Sequence, residues 1–103
     1  MYNIAFYVPR EHLEIVKQKM FEAGAGKVGN YQNCSFEYEG TGQFMPLPGS
    51  QPFIGKELTL EKVPEVKVEM VCAEEYLSNV VAALKAAHPY ETPAYYVIKM
   101  IDI

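Results

Sequence analysis

The stretch Glu65-Val66-Lys67-Val68-Glu69-Met70-Val71-Cys72, followed by Glu74-Glu75-Tyr76-Leu77-Ser78-Asn79-Val80-Val81-Ala82-Ala83-Leu84-Lys85-Ala86-Ala87, decides the fold. In its first part Val66, Val68, Met70 and Cys72 take every second position, which is the period of a strand. From residue 74 to 87 the period changes. Leu77, Val80, Val81 and Leu84 follow the i, i+3, i+4, i+7 spacing of a helix with one apolar face. Glu74 and Glu75 sit at its N-terminal end, where the helix dipole favours negative charge.

The same two periods open the chain. Ile4, Phe6 and Val8 alternate with Ala5 and Tyr7 over residues 2–8, and Pro9 ends this strand. Residues 10–23 carry Leu13, Val16 and Met20 on one helical stripe, with Lys17 and Lys19 left to water. Gly24 is a natural stop for that helix. Residues 33–39 alternate again, Cys34, Phe36 and Tyr38 against Ser35, Glu37 and Glu39. Gly40-Thr41-Gly42 predicts a turn into a short arm at 43–46. Residues 46–56 hold three prolines and two glycines and read as an irregular loop. A strand-like piece at 57–63 is broken by Pro64, and residues 95–103 close the chain as a strand.

The order is therefore β-α-β-β-α-β in a single domain spanning 1–103. That is an α+β, ferredoxin-like sandwich: a four-stranded antiparallel sheet, two helices on one face, and an extra β-hairpin or loop in the middle. Right-handed crossovers place both helices on the same side. The other face should be polar, yet the final strand is apolar on both sides. Val97, Ile101 and Ile103 point one way, and Tyr96, Ile98 and Met100 the other. Lys67 and Glu69 are the polar exceptions. A two-sided apolar sheet predicts a homo-oligomer that buries the open face. The alternative is that the middle loop folds over it.

Composition excludes several classes. The net charge is -4 and the basic residues are scattered, so no nucleic-acid footprint is present. No apolar run reaches the length of a membrane span. The start, Met1-Tyr2-Asn3-Ile4, lacks the pattern of a signal peptide. Cys34 and Cys72, placed in strands by the periodicity, read as reduced thiols, and the protein is expected in the cytoplasm.

Three motifs bear on function. Gly24-Ala25-Gly26-Lys27-Val28-Gly29 has dinucleotide-type spacing, but a helix precedes it and a strand follows, the reverse of what a pyrophosphate site needs. These glycines are expected to turn the chain; Lys27 and the backbone amides there are at most an anion nest. His88-Pro89-Tyr90-Glu91-Thr92-Pro93 packs an imidazole, a phenol and a carboxylate onto a turn stiffened by two prolines. His88 is either a helix-end histidine or a ligand, to a metal or an organic molecule, beside Glu91. A ligand cleft is expected around His88, Tyr90 and Glu91, with Asn30 and Tyr31 as a second wall. The candidate metal set is His88, Glu91 and Cys34, for a divalent ion such as Cu or Zn. No activated nucleophile is visible, so no enzyme activity is expected.

The 88–93 string resembles the "HPYE-x-P" turn of CutA proteins, ferredoxin-like trimers linked to divalent-cation tolerance. Residues 24–31, Cys34-Ser35-Phe36, Gly40-Thr41-Gly42-Gln43-Phe44, Pro46 and Ile54-Gly55 are also similar in order to a more specific relative. That is the CutA/PII-like domain (YqfO-type) inserted in bacterial members of the NGG-interacting-factor-three family, here standing alone. The resemblance implies the fold, a trimer, and a regulatory protein that binds a small ligand or metal at clefts between subunits. The 40–56 loop would be its reporting element. A CutA-type Cu/Zn tolerance protein and an interaction module acting in trans on a partner are the other functions it suggests.

Overall fold

The computed structural model describes residues 1–103. Strand β1 (Tyr2–Val8) leads through a 3-10 turn (Arg10–His12) into helix α1 (Leu13–Glu22). Strands β2 (Phe36–Phe44) and β3 (Glu61–Cys72) follow, then a second 3-10 turn (Glu74–Tyr76), helix α2 (Leu77–Ala87) and strand β4 (Tyr95–Lys99). The sheet order is β2-β3-β1-β4, and every pair is antiparallel. This is the ferredoxin-like α+β architecture that the periods predict.

Register explains which side is packed. Ile4, Phe6 and Val8 lie opposite Met70, Val68 and Val66, and all six are buried. Leu13, Val16 and Met20 of α1 and Val80 and Leu84 of α2 complete one cluster on that face. Each fully buried aliphatic or aromatic side chain there contributes about 1.5–3 kcal/mol of transfer free energy. On β4, Tyr95 and Val97 pack against the same cluster, while Tyr96 and Ile98 fall on the other face.

The middle of the chain departs from expectation. No turn forms at Gly40-Thr41-Gly42. Strand β2 runs straight through these residues, which pair with Glu65, Pro64 and Val63. Glycine imposes no turn where strand pairing is available, and here a neighbour needs its bare face (below). Pro64 does not break β3 either. The β1 partner ends at Val8 opposite Val66, so Pro64 lies where β3 has a neighbour on one side only, and there proline is tolerated. The extra hairpin is thus a prolongation of β2 and β3 beyond the sheet, with residues 45–60 at its tip. Cys34 is not in a strand, because pairing begins at Phe36. The last strand stops at Lys99. Only the Met100 amide, donating to the Met1 carbonyl, extends it.

Gly24 and Gly26 do terminate and turn the chain. Both have positive φ, and a Cβ on Gly26 would press on the Phe21 ring and the Cys34 amide. The amides of Gly24, Ala25 and Gly26 donate to the carbonyls of Phe21, Met20 and Val71. Those three amides are therefore not free to hold an anion.

The open face carries Asn3, Ala5 and Tyr7 of β1, Lys67 and Glu69 of β3, Phe36 and Tyr38 of β2, and Tyr96 and Ile98 of β4. Phe36 is 68% exposed and Ile98 53%. The 45–60 loop covers only the end of this face nearest the β2–β3 arm.

Candidate functional site

Helix α2 ends because Pro89 forbids a helical conformation at the residue before it. His88 accordingly has φ -69° and ψ 136°, an extended conformation. This swings its ring under the sheet edge, where the side chain is buried. Nδ1 accepts the Tyr90 amide at 3.1 Å. The ring proton therefore sits on Nε2, which donates to the Tyr7 carbonyl 2.6 Å away. Burial lowers the His88 pKa below the ordinary 6.5, more than the Tyr7 carbonyl raises it. His88 is a neutral brace, and both of its nitrogens are engaged.

The brace aims Tyr90 and Glu91 at the arm. The Tyr90 hydroxyl donates to Glu65 Oε2 at 2.8 Å. Desolvation, reinforced by the Glu65 carboxylate, raises the Tyr90 pKa, so the phenol stays protonated. Glu91 accepts the Gln51 amide at 3.2 Å and so ties the 45–60 loop to the turn. Phe53 of that loop meets His12 edge-on at 5.3 Å and Tyr90 at 6.4 Å.

Loop, turn, arm and sheet together enclose a cavity of about 540 Å³. Aromatic rings of Tyr7, Tyr38, Phe44, Phe53 and Tyr90 form much of its wall. Its only lysine, Lys67, forms no ion pair. The ammonium lies 5.6, 5.8 and 5.2 Å from the ring centroids of Tyr7, Tyr38 and Tyr96. The Tyr96 and Tyr38 side chains hold its pKa above the usual lysine range.

The chain is 45% identical over 95 residues to a protein of Halalkalibacterium halodurans called "GTP cyclohydrolase 1 type 2 homolog", covering 92% of this chain and 26% of the relative. The Bacillus subtilis protein of the same name is 45% identical over 93 residues, covering 90% and 25%. Among solved structures, a Bacillus cereus protein related to NIF3 superposes with a TM-score of 0.84 at 37% identity, over 98% of this chain and 26% of that one. The chain is homologous to one domain of these NIF3-related proteins. It spans about a quarter of their length. CutA1 from Pyrococcus horikoshii shares the fold at a TM-score of 0.71 and 19% identity, over 100% of this chain and 86% of that one. No family model matches the chain.

His88, Tyr90 and Glu91 lie together on the turn after α2. Tyr90 and Glu91 line the cavity and His88 stands behind them. Asn30 and Tyr31 do not join them. They form a tight turn closed by paired Val28 and Tyr31 bonds, and both are exposed. That segment is anchored at Val71, six residues along β3 from Glu65, about 20 Å of strand. Cys34 donates its amide to Gly26 in the same region. The set His88, Glu91 and Cys34 therefore does not assemble within one chain, and no three His, Cys, Asp or Glu side chains gather to hold a metal. Sequence reasoning passed over Glu65, Tyr7 and Phe53 as site residues. The parity of β3 did mark Lys67 and Glu69 as polar residues on the open face. Their neighbours depend on pairing that no local pattern records. No helix is long and apolar enough to cross a membrane.

Proposed function

We propose that this NIF3-type domain is a small cytoplasmic regulatory protein that binds an organic ligand and acts as a homo-oligomer, a trimer by its CutA resemblance. The observation that carries the reading is the aromatic cavity with an unpaired lysine, roofed by the 45–60 loop. The cavity is of the size that small-molecule sites occupy, with apolar walls and a few convergent polar groups. Ligand binding would order the 45–60 loop and change the surface the domain presents. The exposed apolar residues of the open face, Phe36 and Ile98 among them, support self-association through that face. Tyr7 and Tyr38 then stand at the boundary of cavity and interface. Both cysteines are free thiols, in keeping with a reducing compartment.

A melting-shift screen of small organic ligands, with light scattering on the same samples, tests the reading. Stabilisation that grows with ligand concentration in an oligomer supports it. A monomer that no ligand stabilises refutes it. The metal-tolerance reading requires donors such as Cys34 to come from a neighbouring chain. Interaction in trans with a partner protein would use the same open face.

A further inference from the structure

The charges of the cavity are arranged in a way that selects its ligand. Lys67 and Glu65 lie two residues apart on one strand, so their side chains leave the same face about 7 Å apart. At the Lys67 end an ammonium without an acidic partner is ringed by three phenols. At the Glu65 end the Tyr90 hydroxyl fixes Oε2, and Oε1 lies over Gly42. A Cβ at Gly42 would come within 1.9 Å of that oxygen. Gly40, on the same side of β2, has nothing within 4 Å of where its Cβ would stand. Gly40 leaves bare backbone beside both charges, while the Glu65 carboxylate covers Gly42. The carboxylate of Glu91 lines the cavity as well, alongside the Tyr90 and Phe53 rings.

A flat strip between aromatic walls accepts a planar ring and wastes contact on an aliphatic chain. One cation faces an anionic group. Of the three glutamates that line the cavity, Glu39 is paired with Arg10, and the carboxylates of Glu65 and Glu91 remain to accept N–H donors and repel further negative charge. A polyphosphate is therefore a poor fit, since it would set several negative charges beside Glu65 and Glu91 with a single lysine to meet them.

We propose that the cavity binds a planar aromatic ligand with an anionic group at one end and an amino donor at the other, the simplest case being an amino-substituted aryl carboxylate. This rests on the reading of the cavity as the ligand site. The ligand's carboxylate pairs with Lys67, its ring lies over Gly40, and its amino group donates to Glu65 Oε1.

The test is an NMR titration of the whole chain with 4-aminobenzoate, benzoate, aniline and ATP. The expected result is that 4-aminobenzoate shifts the amides of Gly40, Gly42 and Lys67 and binds roughly tenfold more tightly than benzoate or aniline. Lys67→Met weakens both carboxylates and spares aniline. Glu65→Gln weakens 4-aminobenzoate and aniline and spares benzoate. Should either variant fail to fold, the three-probe comparison on the parent chain decides alone. Benzoate binding as tightly as 4-aminobenzoate at these amides overturns the two-ended recognition and leaves the cavity reading intact. ATP binding there in preference to 4-aminobenzoate does the same. Ligands from the melting screen that shift amides only outside the cavity overturn both. No shift at these amides with any of the four probes overturns the ligand class.

Discussion

The imidazole of His88 donates to the backbone carbonyl of Tyr7 at 2.6 Å, across 81 residues of sequence. One bond joins the end of α2 to β1, and the same ring holds the Tyr90 amide. The helix end, the central strand and the cavity turn are thus built on one neutral side chain. Replacing it leaves two backbone groups without partners. His88→Ala is expected to lower stability by roughly 1–3 kcal/mol in denaturant unfolding, with the fold retained.

Burial of the same ring makes stability depend on pH. The folded pKa of His88 is lowered by burial, and the unfolded value is about 6.5. Its contribution is present in full above the unfolded value. It is lost as pH falls from there through the folded value, because the unfolded state takes the proton first. Melting temperature should drop in this acidic window in the parent chain. His88→Gln should flatten the drop, and an unchanged acid limb in the variant would place the sensitivity elsewhere.

Gly40 and Gly42 face the same way on β2 and should respond oppositely to alanine. A methyl group at Gly42 collides with Glu65 Oε1 and must push that carboxylate off the Tyr90 hydroxyl. Gly42→Ala is expected to destabilise by about 1–3 kcal/mol, the range for disturbing a hydrogen bond to a charged group. Gly40→Ala meets open space and should be neutral or slightly stabilising, since alanine has less backbone freedom to lose in a strand. Thermal unfolding of the pair reads the contrast directly.

Tyr90 and Glu65 should be coupled. Tyr90→Phe and Glu65→Gln each disturb the 2.8 Å bond, so the double variant should cost less than the sum of the two. A coupling of about 0.5–2 kcal/mol is expected in a double-mutant cycle. Strict additivity would mean that water replaces the bond at no cost.

Self-association should run through the open face. Phe36 and Ile98 stand exposed there, on the outer strands of the sheet. Phe36→Glu and Ile98→Glu are expected to reduce the oligomer to monomer in light scattering and to leave the circular dichroism of the fold unchanged. An oligomer that survives both changes uses another surface.

Local periodicity by itself settled the element order, the two helical stripes, the stop at His88-Pro89 and the side of β3 on which Lys67 and Glu69 lie. These follow from consecutive residues, since side-chain direction is set by the turn of the backbone and burial by the period. The packed face followed because few topologies bury those stripes. Tertiary structure alone decided that Gly40-Thr41-Gly42 is strand rather than turn, because a glycine's conformation goes to whatever pairing or neighbour its surroundings offer. It alone brought Tyr7, Tyr38 and Tyr96 from three strands around Lys67. It also turned His88 from candidate ligand to brace, and carried Asn30, Tyr31 and Cys34 to the far end of β3. Those outcomes depend on register and on contacts between residues as far apart as Tyr7 and His88. Residues near in sequence constrain such contacts only through the closed fold.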